Sequence, residues 1–182
     1  MGFLRRTSSR AYTLIEVLVV VTVLGIAAAL VIPEMASAHS LRVQAAVRTI
    51  VSDITFAQSD ALAMQESRAV VFDTAANSYT LVEVIGGEVD VEANAMFDSG
   101  GPRNRYMRDF GDQVYGGARI TAAAFDDDEI LIFDELGSPQ RDPDASTPGF
   151  GGFVEVTGSG SIYRVNVDAY TGRVTVERRD AE

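Results

Sequence analysis

Residues 5–33 read RRTSSRAYTLIEVLVVVTVLGIAAALVIP: a basic start, then Tyr12-Thr13-Leu14-Ile15-Glu16, then an apolar run from Val17 to Ile32 that only Thr22 and Gly25 interrupt. Glu16 is the odd residue, a carboxylate at the mouth of what otherwise reads as a membrane helix. On insertion scales an ionised side chain inside such a helix costs about 2.5–3.5 kcal/mol, so the position points to a function and demands a partner. Three arginines, Arg5, Arg6 and Arg10, precede the run, and the next is Arg42. That asymmetry places the N-terminus in the cytoplasm and everything after Pro33 outside.

The stretch resembles the class III signal of type IV pilins and type II secretion pseudopilins. In that family a prepilin peptidase removes a short basic leader ahead of an aromatic-Thr-Leu-Ile-Glu run. The new N-terminus is methylated, and the apolar segment serves as both membrane anchor and filament core. The resemblance implies cleavage between Ala11 and Tyr12, with Tyr12 N-methylated and Glu16 as the fifth mature residue. Gly25 and Pro33 fall where the family places a helix glycine and a helix proline. Two positions depart from the pattern: Ala11 replaces the usual Gly, and Tyr12 the usual Phe. Cleavage would free an α-amino group on Tyr12. A carboxylate buried in an apolar bundle must be paired, and the amine of a neighbouring subunit is the natural counter-ion, fixing axial register as a single buried polar group does in a coiled coil. Two other readings stay open. Glu16 can lie in the headgroup region of an uncleaved signal anchor, or conventional cleavage at Ala36-Ser37-Ala38 can leave a soluble domain starting near His39.

Composition bounds the rest. The 182 residues are 47% apolar, enough for one domain plus an anchor, and there is no cysteine for a disulfide or a thiolate metal site. Every basic residue is Arg. Removing the leader takes three positive charges from a formal −11 and leaves −14. Such a surface repels nucleic acid and anionic lipid headgroups at long range.

Beyond the apolar run the pattern becomes amphipathic. Val43, Val47, Ile50, Ile54, Ala57 and Ala61 recur at spacings of three and four, with Val51 at the edge, the signature of one buried stripe. Arg42, Gln44, Arg48, Ser52, Asp53 and Ser59 fall largely off it, and Phe56 points away from it. Helix is expected from Tyr12 to Gln65, with Pro33 kinking but not ending it. At a rise of roughly 1.5 Å per residue it would be far longer than a bilayer, so its second half lies on a globular domain. The expected divisions are leader 1–11, transmembrane and filament-core helix 12–33, amphipathic helix 34–66 and β domain 67–182.

After Ser67 the chain reads as strands. Residues 69–72 and 79–84 flank a turn in which Asn77 suits positive φ. Gly86–Gly117 reads as an exposed variable loop or short edge strands. Residues 119–121 and 130–133 follow, then a loop from Gly137 to Gly152. Residues 153–156, 162–167 and 173–177, joined by tight glycine turns, form a three-stranded antiparallel meander. The class is α+β, a long helix packed on antiparallel sheet. Ile132-Phe133-x-x-x-Gly137, Gly152 and Gly172-Arg173-Val174, together with Ala57–Ala69 running into Val70-Val71-Phe72, resemble the H-type minor pseudopilin of type II secretion.

Other constellations are weaker. Asp126-Asp127-Asp128-Glu129 with Asp134-Glu135 has the oxygens a hard cation such as Ca²⁺ takes, but the spacing is not that of an EF-hand, and a solvated loop explains it equally; Asp142-Pro143-Asp144 is weaker still. The only histidine, His39, lies just past the membrane exit with no serine partner in view, so no catalytic triad is expected. Arg173, Arg178 and Arg179 gather near the C-terminus, where related fimbrial minor pilins bind DNA, but Glu177, Asp180 and Glu182 dilute them. Gly25 either allows close approach of neighbouring helices or marks a site that can stretch on assembly, and Thr22 can bond back to the backbone. The resemblance implies a non-enzymatic filament subunit without cofactor or metal. Its partners would be other pilin or pseudopilin subunits, the prepilin peptidase and inner-membrane lipids. It would be single-pass in a bacterial inner membrane, with its C-terminal domain periplasmic until assembly into a pseudopilus. A minor type IV pilin for adhesion or DNA uptake is the alternative; a periplasmic binding or enzymatic domain on a signal anchor would need a convergent polar pocket.

Overall fold

The computed structural model describes residues 12–111, 113–115, 117–144 and 147–180, without the side chains of 29–38, 113 and 180. The expected leader 1–11, including Ala11, lies outside them. Residues up to Ala38 form one unit and His39–Glu182 another.

Helix α1 runs from Leu14 to Met64. Thr13 caps its start: the Thr13 hydroxyl accepts the N–H of Glu16 at 3.2 Å, satisfying one of the amides that a helix N-terminus leaves unpaired. Pro33 sits inside the helical backbone, as expected. The helix stops where Gln65 turns left-handed at φ 55°, and the N–H of Glu66 closes back on the carbonyl of Ala61 at 3.3 Å. That is a Schellman-type stop with glutamine in the place glycine usually takes.

In the second unit the stripe is as read: Val43, Val47, Ile50, Ile54, Ala57 and Ala61 are all buried, joined by Ala46. The β part divides into two antiparallel sheets rather than one. The first contains β1 (Arg68–Asp73), β2 (Ser78–Glu83), β3 (Met107–Asp109), β5 (Ile130–Phe133) and β6 (Pro139–Gln140), in the order β3-β2-β1-β5-β6. The second contains β4 (Arg119–Phe125), β7 (Gly152–Gly158), β8 (Ser161–Val167) and β9 (Val174–Asp180), in the order β4-β7-β8-β9. The expected meander is β7-β8-β9, and β4 joins it as a fourth strand with a register shift between Ile120 and Ala122.

Strand alternation builds the core. Along β8, Ser161, Tyr163, Val165 and Val167 are buried and the residues between them are half-buried, the period-2 pattern of a sheet covered on one face. Val70, Phe72, Leu81, Leu131 and Phe133 of the first sheet join Val154, Val156 and Val165 of the second in one cluster with the helix stripe. Phe72 and Phe125 stack at 5.6 Å where the chain passes from one sheet to the other.

The segment from Gly86 to Gly117 is not merely exposed. It contains β3 as an edge strand, and it returns Met96 and Phe110 to the core. Val89 and Val91 cover a second small cluster built on Ala69, Val82 and Ile132. Phe56, which pointed away from the stripe, stacks on Tyr106 of this segment with ring centroids 5.4 Å apart.

Candidate functional site

From Tyr12 to Ala28 every residue is exposed, and nearly all are apolar: Leu14 is 85% exposed and Leu24 62%. A helix apolar on every side is a helix made to be covered, by lipid or by other helices. Glu16 lies in its first turn, three residues after the Thr13 cap, an arrangement that matches the Ser/Thr-x-x-Glu capping box. The cap was legible in Thr13-Leu14-Ile15-Glu16, and the membrane reading of Glu16 obscured it. Thr22 donates its hydroxyl to the carbonyl of Leu18 at 2.7 Å, satisfying its polar group within the apolar run. At Gly25 an added Cβ would meet nothing within 4 Å, so nothing in this chain's own packing requires glycine there. Among the described residues no helix is long and apolar enough to cross a membrane.

A second constellation joins helix to loop, and here the sequence reading is corrected. Asp53 does not lie off the stripe in solvent; it is buried. It accepts the hydroxyl of Tyr79 at 2.6 Å, that of Tyr106 at 2.9 Å and the Nε–H of Arg108 at 3.2 Å. Arg108 also donates to Asp98 at 2.8 Å. Burial, reinforced by Asp53, holds the Tyr79 phenol well above its ordinary range, and the same two causes raise Tyr106. Burial works against the charge on Arg108, but Asp98 and Asp53 outweigh it and keep the guanidinium protonated. A buried aspartate needs such partners, and three of them come from residues 26 to 55 positions away, which is why spacing along the helix could not reveal it.

Comparison with known proteins bears on both units. Residues 6–32 match the prokaryotic N-terminal methylation motif. The fold is that of the minor pseudopilin EpsH from the Type 2 Secretion System of Vibrio cholerae, with a TM-score of 0.50 at 8% identity, covering 75% of this chain and 96% of that one. No curated protein matches the chain by sequence. The chain thus carries the prokaryotic N-terminal methylation motif on a fold similar to that of a minor pseudopilin. The expected α+β class, a long helix with antiparallel sheet, holds.

The remaining candidates do not converge on one place. The acidic run serves turns. Asp126 and Asp127 both have positive φ, and Asp126 accepts the N–H of Phe150 at 2.8 Å. Glu129 accepts the Thr74 hydroxyl at 2.7 Å, and Asp134 accepts the amides of Leu136 and Ser138 and the Gln140 side chain. Among the described residues no group of three or more His, Asp or Glu is placed to hold a metal. His39 is exposed on α1. Arg173 precedes β9, Arg178 faces the helix side of the sheet in register with Tyr163, and Arg179 lies on the opposite face beside Glu177. These three do not form the one-sided basic patch that phosphate contacts need.

Proposed function

We propose that this chain is a non-enzymatic minor pseudopilin, H-like, of a type II secretion pseudopilus. The observation that carries the reading is the bare, nearly all-apolar stretch from Tyr12 to Ala28, helical from Leu14, bearing one carboxylate and lying inside a methylation motif. A prepilin peptidase cuts between Ala11 and Tyr12, and Tyr12 is N-methylated. The apolar segment anchors the chain in the inner membrane, with the N-terminus cytoplasmic and the sheet domain periplasmic. It then enters a bundle of subunit helices, where Glu16 pairs with the Tyr12 amine of a neighbour, Gly25 admits close approach and Pro33 shapes the helix beyond. No cofactor takes part.

Because Thr13 and Glu16 also fit a capping box, charge and cap must be separated. Glu16→Gln keeps a residue the capping box accepts and removes the charge; Glu16→Ala removes both. Expected is normal leader removal with both variants and loss of both from filaments. Glu16→Gln assembling like wild type while Glu16→Ala fails would assign Glu16 to capping and sink the ion-pair role. Mass spectrometry of the mature protein tests processing: a methylated Tyr12 start is expected, and a start near His39 overturns the whole reading.

A further inference from the structure

The first sheet has a face turned away from α1. Phe72, Tyr79 and Leu81 point into the core, so by strand alternation their neighbours point outward. Register sets these in two rows across three strands: Asp73, Ser78 and Asp109 in one, Val71, Thr80 and Met107 in the other. Over the rows lies a cavity of ≈ 570 Å³, walled by the segment that holds Glu92, Arg103 and Arg105. Ser78 is 4% exposed and Thr80 5%; both line the cavity, and among the described residues neither hydroxyl has a hydrogen-bond partner. Polar groups so deeply placed are nearly always satisfied, so these two mark a place for a ligand. Asp73 and Asp109 each accept one turn amide, from Ala76 at 2.7 Å and from Gly111 at 2.7 Å, and among the described residues neither is ion-paired. The arginines of the wall do not neutralise them. Arg105 donates to the Glu92 carboxylate at 2.8 Å, and Arg103 and Asp90 share that charge cluster, so the wall answers its own cations. Arg108, between Met107 and Asp109 in sequence, faces the other way, held by Asp53 and Asp98.

Two uncompensated carboxylates therefore flank a buried hydroxyl, on three adjacent strands. Three separate acceptors fit a primary ammonium, which has three donors and no acceptor; a planar guanidinium instead matches a single carboxylate with its fork. The chain contains no lysine, so neither it nor a second copy supplies a side-chain ammonium. We propose that this cavity receives a lysine side chain of a partner protein, its ammonium held by Asp73, Ser78 and Asp109 and its methylene stem laid over Val71 and Met107. A backbone carbonyl beside the stem meets the Thr80 hydroxyl. The cavity is larger than a lone alkylamine fills, which assigns the lysine to a peptide chain. The site does not depend on the filament reading.

The probe is a short capped peptide of alanines around one lysine, titrated into the isotope-labelled full chain in detergent micelles while backbone amide shifts are followed. Shifts are expected at residues 71–73, 78–80 and 107–109. Acetylating the lysine should abolish them, and arginine in its place should bind at least about threefold more weakly. Asp73→Asn and Asp109→Asn keep an oxygen for the turn amide and remove the charge. Each should weaken binding at least about tenfold, in line with a lost hydrogen bond to a charged group; Ser78→Ala should weaken it at least about threefold. No shift on these strands at millimolar peptide, shifts scattered over the acidic surface, equal binding of the acetylated peptide, or unchanged affinity in Asp109→Asn overturns the inference. Equal binding of the arginine peptide, or of pentylamine, overturns the assignment to a protein lysine.

Discussion

Gln58 donates its side-chain amide to the carbonyl of Gly137 at 2.8 Å, and the same nitrogen reaches the carbonyl of Thr171 at 2.8 Å. One helix residue therefore holds two turns that lie 34 residues apart in the chain. Both turns depend on glycine. Gly137 (φ +74°) has room for a Cβ only 3.3 Å from Gln58 Cγ, while at Gly172 (φ +63°) a Cβ would collide with Gln58 Nε2 and come within 3.0 Å of Phe133. Gln58→Ala should cost about 1–2 kcal/mol, the worth of two partly exposed hydrogen bonds. Gly172→Ala should cost more, about 2–3 kcal/mol, because left-handed strain adds to the collision. Chemical denaturation of the full chain checks the order; Gly172→Ala at wild-type stability would contradict the clamp.

Asp53 anchors Gly86–Gly117 in a different way. Asp53→Ala leaves the Tyr79 hydroxyl buried without its acceptor and takes one of two carboxylates from Arg108. Breaking such a network costs roughly 3–5 kcal/mol. The loss should be local before it is global: amide exchange should quicken across residues 94–109 while β7 and β8 stay protected. Uniform loss of protection over both sheets would show that the network belongs to the core rather than to the segment.

These two sites mark where the sequence was legible. The helix stripe, the β1–β2 turn with Asn77 at φ +57° and the β7-β8-β9 meander all rest on local periodicity or on turn residues a few positions apart. The division into two sheets rests on β1 pairing with β5 and β4 with β7, joins across long stretches that periodicity does not register. Asp53 read as surface because its partners come from β2, from β3 and from the segment leading into it. Phe56 was visible as a break in the stripe, but its stacking partner Tyr106 was not. The glycines at 137 and 172 were noticed by resemblance; Gln58 supplies the physical cause.

Acid should weaken the domain below about pH 4 and not above pH 5. The Thr171 hydroxyl and the amides of Thr171 and Tyr170 hold the Asp168 carboxyl below its ordinary 3.8. The Gly100 amide and Arg108 do the same for Asp98. A carboxylate depressed in the folded state contributes stability that is fully present above its unfolded pKa and is lost as pH falls through the folded one. Between pH 7 and 5 the opposing effect governs, since protonation relieves self-repulsion in a chain of formal charge −11. Thermal melts from pH 7 to 2 should be level or rise slightly and then fall, with Asp168→Asn showing a shallower acid limb. Wild type and Asp168→Asn melting in parallel throughout would remove Asp168 from the account.

Gly25 separates what the lone chain needs from what an assembly needs. Nothing lies within 4 Å of an added Cβ there, and helix residues on both sides are exposed. In the isolated chain Gly25→Ala should therefore stabilise the helix, by up to ~1 kcal/mol in water. In a bundle the same methyl group would stand where a neighbouring backbone approaches closely. The expected outcome is opposite in sign for the two measurements: higher helicity of the micelle-bound chain by circular dichroism, and lower incorporation into filaments. Gly25→Ala entering filaments as well as wild type would mean that no helix packs closely at this position, and the glycine would then have no part in assembly.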